Sequence, residues 1–344
     1  MTTLAELTTT RVGGPIADYV EAADEAALIH AIRTADATGI PLLVIGDGSN
    51  LIASDDPFEG RVVAVRTTGM KVDADDCESN MAMCGGVLVN IAAGMVWDDF
   101  VANAVRREWV GVEALSGIPG RVAAAPIQNI GAYGQEVSQT IARVRTFDRV
   151  DQQVRTFAAA DCGFSYRNSI FKRELGRYVV LDVTFQLKMG DLSAPIAYDE
   201  LARSLGVEPG QRAGLSVVRD TVLRLRRAKG MVVDPADPDT WSTGSFFVNP
   251  VVAPDQVPEG ARSWPVAEGQ VKLSAAWLIE QAGFAKGYGA TTAKVSSKHT
   301  LALTNQGGAS AAEVIALARE IQAGVEQRFG VRLENEPSLV GLQI

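Results

Sequence analysis

Gly46-Asp47-Gly48-Ser49-Asn50 follows an apolar run, and its glycines let backbone N–H groups approach an anion closely, with Ser49 and Asn50 adding further hydrogen bonds. The same five residues also read as a tight turn that uses glycine for a positive φ. They form no dinucleotide fingerprint, because Leu51 stands where GxGxxG needs its third glycine, and GxxxxGK[ST] does not occur. A second stretch, Ser116-Gly117-Ile118-Pro119-Gly120 leading to Pro126-Ile127-Gln128-Asn129-Ile130-Gly131-Ala132-Tyr133-Gly134, shifts the balance toward a ligand site. Two such loops can hold one pyrophosphate from both sides. Ile118, Ala123 to Ala125 and Ile130 suit the flat face of a ring system, and Gln128 and Asn129 suit its heteroatoms.

Other segments carry charge and protons. Arg167, in Ser165-Tyr166-Arg167-Asn168-Ser169, can grip a carboxylate through two bonds, and Tyr166 can hydrogen-bond or stack; a surface turn explains the segment as well. Ser245, in Gly244-Ser245-Phe246-Phe247-Val248-Asn249-Pro250, is either a partly desolvated proton donor or a serine at a strand edge. Glu334 and Glu336, two apart, share one face of a strand, turned inward or solvated. Arg219, Arg224, Arg226, Arg227 and Lys229 form either a diphosphate receptor or the solvated basic face of a helix, with Lys229 nearest to a functional role. His299 suits a polar pocket, whereas His30 lies inside the first long helix as a structural residue.

Periodicity supplies the elements that position these groups. Asp24 to Thr38 carries a helical apolar stripe ended by Gly39 and Pro41, and Leu42 to Ile45 and Arg61 to Val65 read as strands. Leu88 to Ala92, Val144 to Phe147 and Val179 to Leu187 read as strands of a mixed or antiparallel sheet, the last two with period-two alternation. Leu115 to Gly134 is expected to be a long, charge-poor loop. Ser216 to Lys229 is helical, Asp234 to Asp239 is a breaker cluster, and Ser310 with Glu313 has capping-box spacing for a helix to about Phe329.

Composition narrows the function. With 344 residues, 47% of them hydrophobic, the chain has room for roughly two domains of ~150 residues. A net charge of -9 argues against a nucleic-acid partner. Cys77, Cys84 and Cys162 form no CxxC and read as buried or inert thiols, and two histidines leave no catalytic transition-metal site expected. The N-terminal residues lack a signal-peptide pattern and no apolar run approaches ~20 residues, so the cytoplasm is the expected compartment and no membrane insertion is expected.

In order along the chain, Thr10 to Gly14, Gly46 to Asn50, Pro126 to Gly134, Ser165 to Lys172, Gly244 to Pro250 and Leu333 to Pro337 resemble the UDP-N-acetylenolpyruvoylglucosamine reductase family of bacterial cell-wall synthesis. The resemblance implies an α+β fold of the vanillyl-alcohol-oxidase-like FAD-binding type, with two lobes and a smaller α+β substrate-binding domain. Its expected boundaries are 1–68 with 330–344, 69–230, and 231–329. It implies FAD, NADPH as reductant and UDP-N-acetylglucosamine enolpyruvate as substrate, with hydride passing from flavin N5 to the vinyl carbon. The first glycine loop holds no histidine, so noncovalent FAD is expected, and a monomer.

By the same resemblance, Gly46, Asp47, Gly48, Ser49, Asn50, Ser116, Gly117, Ile118, Gly120, Gln128, Asn129, Gly131 and Ala132 bind the cofactor. Ser245 matches the proton donor, and Arg167 and Glu336 match the pair that polarises the substrate carboxylate. Tyr166, Lys229, Asn249 and His299 fall at substrate or nicotinamide contacts, and Tyr198 matches the tyrosine loop that covers substrate in one subtype. Two positions depart from the pattern: Val248 stands where relatives are often basic, and Pro337 follows Glu336 where others have proline before it. Another flavin oxidase or dehydrogenase of the same fold is the competing enzyme. A noncatalytic nucleotide-sugar or flavin binder would keep the loops without needing Ser245 or Glu336.

Overall fold

Asp24 accepts the N–H of Ala27 at 2.8 Å, so the helix Glu25–Thr38 starts at its sequence cap and stops at Gly39, whose φ of 68° is left-handed. In the computed structural model, which describes residues 2–73, 86–266 and 269–344, this helix belongs to the larger of two compact units. The larger unit comprises Ala17–Asp47 and Glu59–Arg227; the smaller comprises Met1–Ile16, Gly48–Phe58 and Ala228–Ile344.

In the larger unit, the apolar run Leu42–Ile45 forms a strand parallel to Phe58–Val65, with Ile16–Ala22 on the other side of that strand. A second, antiparallel sheet runs in the order Gln153–Ala158, Ile141–Asp148, Tyr178–Met189, Gly86–Ala92, Met70–Asp73, and Trp109–Val110 pairs with the end of Tyr178–Met189. The alternation expected for Val179 to Leu187 is absent. Tyr178 to Phe185 are all buried, because a central strand covered on both faces has no solvent side. Trp97 and Phe100, from the helix Trp97–Arg106, pack on Phe185 with ring centroids 5.9 and 4.8 Å away.

The long loop expected over Leu115 to Gly134 holds a short helix, Ala124–Gln128, and a strand, Gly131–Ala132, paired with Gln135–Glu136. A buried segment must satisfy its backbone groups, and local structure does so.

The smaller unit is built around the helix Ala311–Phe329. Ser310 accepts the N–H of Glu313 at 3.1 Å while Glu313 accepts that of Ser310 at 2.9 Å, the reciprocal cap read from the sequence. Val314, Ile315, Ala318, Ile321 and Val325 turn into a core shared with Phe246, Phe247, Leu278, Val295 and Leu303. Near the C-terminus, Ser338–Val340 pairs in parallel with Leu51–Ala53, just beyond the first glycine loop. Cys162 is buried; Cys77 and Cys84 lie outside the described residues. Among the described residues no helix is long and apolar enough to cross a membrane, and no group of three metal-ligating side chains occurs.

Candidate active site

In the larger unit the strand Leu42–Ile45 empties into Gly46 and Asp47. The Gly46 carbonyl accepts from Arg66 Nη1 at 2.9 Å, and the Asp47 carboxylate accepts from Arg121 Nε at 2.7 Å. The Asp47 carboxylate therefore ties the loop to Arg121.

The second glycine loop is tied to two helices. Gly117 donates its N–H to Asp98 Oδ1 at 2.6 Å, and Asp98 also takes both terminal nitrogens of Arg219 at 2.7 Å. Burial works against the Asp98 charge, yet the Arg219 guanidinium and the Gly117 N–H hold its carboxyl below the usual range. Ser116, fully buried, donates its hydroxyl to the Glu113 carbonyl at 2.7 Å, and the Gly120 carbonyl accepts the N–H of Trp97 at 3.0 Å. Ile118 packs against the large core.

Arg167 sits with φ 52°, a costly backbone for a non-glycine residue, and Asn129 and Tyr133 share that feature at 42° and 49°. Its Nη2 donates to the Gly131 carbonyl at 2.7 Å and Nη1 to that of Asn129 at 3.3 Å, fixing the plane of the guanidinium. Asn129 is buried and donates from Nδ2 to Glu136 Oε2 and to the Ser165 carbonyl, both at 3.0 Å. Lys172 reaches from its short helix to Gln128 Oε1 at 3.2 Å. Ala132 pairs with Gln135 in the hairpin. Tyr166 is exposed beside Arg167, and Tyr198, also exposed, meets Tyr133 edge-on with centroids 5.5 Å apart.

The expected solvated basic face of Leu215–Ala228 is half right. Arg224 and Arg227 are exposed, but Arg219 and Arg226, seven apart on one stripe, turn inward. Burial pushes Arg226 down to about 10; Tyr133 and Asp98 favour its charge and Arg167 opposes it. The group still carries its proton at neutral pH. In the sequence Arg226 is legible only as a member of a basic helix, and Asp98 carries no signal of its own.

In the smaller unit the segment Ser245 to Val248 lies between two others. Ser245 bridges Ala302 and the Phe246 N–H donates to the Leu301 carbonyl at 2.7 Å; on the opposite side Phe247 bridges Asn335, and Glu336 donates its N–H to the Phe246 carbonyl at 2.8 Å. Ser245 and Glu336 are half-buried, while Glu334 is exposed. Asn50 donates from Nδ2 to the Glu336 carbonyl at 3.4 Å and accepts the N–H of Ser338 at 3.0 Å. His299 occupies the turn before Ala302, whose N–H it accepts at 3.0 Å. Asn249 uses Oδ1 to accept the N–H of Ala275 at 2.9 Å, at the start of the helix Ala275–Gln281. Lys229, half-buried, follows the end of the basic helix, and Ser49 is half-buried beside Gly48. A Cβ at Gly48, where φ is 53°, would stand 2.4 Å from the Leu7 carbonyl, so only glycine fits that turn.

A sequence-family profile for the C-terminal domain of UDP-N-acetylenolpyruvoylglucosamine reductase matches residues 235–340, and an FAD-binding-domain profile matches residues 16–156. UDP-N-acetylenolpyruvoylglucosamine reductase from Cutibacterium acnes is 53% identical over 344 residues, spanning 99% of this chain and 90% of that protein. The chain belongs to the UDP-N-acetylenolpyruvoylglucosamine reductase family. The protein of that name from Thermobifida fusca is 50% identical over 99% of this chain and 97% of its own length. The crystal structure of UDP-N-acetylenolpyruvylglucosamine reductase from Thermus caldophilus superposes with a TM-score of 0.64 at 25% identity, covering 98% of this chain and 97% of that one. As a member of this reductase family the chain is an FAD-dependent oxidoreductase with an α+β FAD-binding fold. In the larger unit the buried amide of Gln128, whose Oε1 accepts from Lys172, has the donor and acceptor chemistry that the heteroatoms of such a cofactor call for.

Proposed function

We propose that this chain reduces UDP-N-acetylglucosamine enolpyruvate to UDP-N-acetylmuramate for peptidoglycan precursor synthesis, with NADPH as reductant. The observation that carries the reading is the ladder joining the Ser245 segment to Glu336 through the Phe246 carbonyl, in a chain of this reductase family. FAD, when bound, would supply the two-electron redox chemistry between NADPH and the enolpyruvyl substrate.

The side chains manage charge and proton. Reduction at the vinyl carbon builds negative charge on the carboxylate-bearing carbon, and the Arg167 guanidinium, held in plane by the Gly131 and Asn129 carbonyls, stabilises that charge. Glu336 assists in its neutral form, since an ionised carboxylate would oppose the same charge. Ser245 then gives its hydroxyl proton to the carboxylate-bearing carbon and sets the configuration of the lactyl product. A serine hydroxyl is a weak acid, and a strongly basic enolate-like acceptor together with Lys229 makes the transfer feasible.

Tyr166, Asn249, His299 and the Tyr198 loop contact substrate or nicotinamide. Backbone groups at Gly46 to Asn50, Ser116 to Gly120 and Gln128 to Ala132 hold FAD without a covalent link. A cytoplasmic monomer completes the reading. Incubation with NADPH and the enolpyruvyl substrate in deuterium oxide tests it: UDP-N-acetylmuramate with solvent deuterium at the carboxylate-bearing carbon, in a single configuration, supports the assignment, and flavin turnover without this product sinks it.

A further inference from the structure

We propose that Glu113 is a positioning residue that couples the Tyr198-bearing segment to the second glycine loop and to the hairpin gripped by Arg167; the proposal rests on the reading of Tyr198 as a substrate contact. Glu113 has no solvent exposure, and among the described residues the bonds to its carboxylate come from neutral donors. Its Oε2 accepts the N–H of Gly111 at 2.6 Å, and its Oε1 accepts Gln135 Nε2 at 2.8 Å and the N–H of Ala194 at 2.7 Å. A carboxylate taken out of water persists only where such donors replace its hydration.

Two of these donors and the Glu113 main chain lead to different parts of the candidate site. Gln135 returns the contact by accepting the N–H of Ala114 at 2.8 Å, and it pairs with Ala132, next to the Gly131 carbonyl that Arg167 holds at 2.7 Å. Ser116, at the head of the second glycine loop, donates to the Glu113 carbonyl at 2.7 Å. Ala194 precedes Ile196, which is buried in one small apolar cluster with Ala114, Leu201 and Val222, and Tyr133 packs against that cluster. Two residues further on stands Tyr198, edge-on to Tyr133. Glu113 therefore ties together three segments that the sequence separates by up to 81 residues, the hairpin and the Ala194 segment through its carboxylate and the head of the glycine loop through its main-chain carbonyl.

Only a carboxylate serves here, because both oxygens accept and neither donates. Glu113→Gln turns one acceptor into a donor facing another donor. The expected result is a KM for the enolpyruvyl substrate raised about 10-fold, the size of one unsatisfied buried bond, with the rate of flavin reduction by NADPH within about 3-fold of the parent. In a Tyr198→Ala background the same change is expected to add less than about 2-fold, because coupled residues are not additive. If Tyr198→Ala raises KM and Glu113→Gln multiplies that effect in full, the coupling is refuted while the Tyr198 reading stands. If Tyr198→Ala leaves KM unchanged, the Tyr198 reading falls and the proposal with it. Should Glu113→Gln fail to give folded, flavin-loaded protein, Ala194→Pro removes the N–H offered to Oε1, fixes φ at that residue and leaves the bonds from Gly111 and Gln135 to the carboxylate in place, and it carries the same expectations and the same contrary results.

Discussion

The N–H of Glu336 donates to the carbonyl of Phe246 at 2.8 Å, which fixes the acid on a segment laid directly against the one that carries Ser245. The bond uses only backbone atoms, so the Glu336 side chain can change while the segment stays in register. Glu336→Gln keeps a neutral, donating group and is expected to retain kcat within about 10-fold, whereas Glu336→Ala is expected to lose about 100-fold or more. Steady-state rates at saturating substrate decide it. Equal damage from both changes would contradict the neutral-acid role.

Asp98 offers a test of the second glycine loop. Its carboxylate holds Gly117 and Arg219, and its folded state sits below the usual carboxylate range. A group depressed on folding stabilises the chain above its unfolded value, near pH 4 for an aspartate, and loses that contribution as pH falls through the folded value. Asp98→Asn is expected to cost about 1 kcal/mol at pH 7, reduced from the full charged-bond value by solvent screening, and the difference from the parent is expected to shrink below about pH 4. Denaturant titrations across that range measure it. FAD affinity, followed by flavin fluorescence, is expected to fall about 10-fold in the same variant.

Gly131 is held from three directions. A Cβ there would lie 2.9 Å from the Gln135 carbonyl, 2.9 Å from Glu136 Cγ and 3.0 Å from Arg167 Nη1. Gly131→Ala is expected to destabilise the chain by about 1–3 kcal/mol through overpacking and to raise the substrate KM, because the Arg167 grip on the Gly131 carbonyl must shift. Melting temperature and KM are read together; an unchanged KM would separate Arg167 from the substrate.

Cys162 is expected to resist thiol reagents in the native protein. Burial, reinforced by the Asp161 charge, pushes its thiol up to about 12, so almost no thiolate exists at pH 8. Mass-spectrometric mapping after alkylation is expected to find Cys162 modified only once the chain is unfolded.

Signals are legible in the sequence wherever the physics is local. The caps at Asp24, Gly39 and the Ser310 and Glu313 pair follow from residues within a few positions of one another. The glycine loops, Arg167, Ser245 and Glu336 were visible as residue types next to apolar anchors. Tertiary burial was not visible: Val179 to Leu187 reads as alternating in sequence, whereas Tyr178 to Phe185 is buried throughout, because neighbouring strands and helices remove the solvent side. Arg226 looked like one member of a solvated basic face, and only the packing of its helix shows it turned inward. Glu113 stands before a stretch, Leu115 to Gly134, whose sole charged residue is Arg121; a carboxylate at the edge of so apolar a run was a signal, but its partners Gln135 and Ala194 are set by the fold.

The most direct test of the account is anaerobic stopped-flow at the flavin absorbance band, comparing the parent with Ser245→Ala. NADPH is expected to bleach the flavin at nearly the same rate in both, and reoxidation by UDP-N-acetylglucosamine enolpyruvate is expected to be ~100-fold or more slower in the variant, the usual size of a lost proton transfer. Equal slowing of both half-reactions, or reoxidation at the parent rate, would contradict Ser245 as the proton donor.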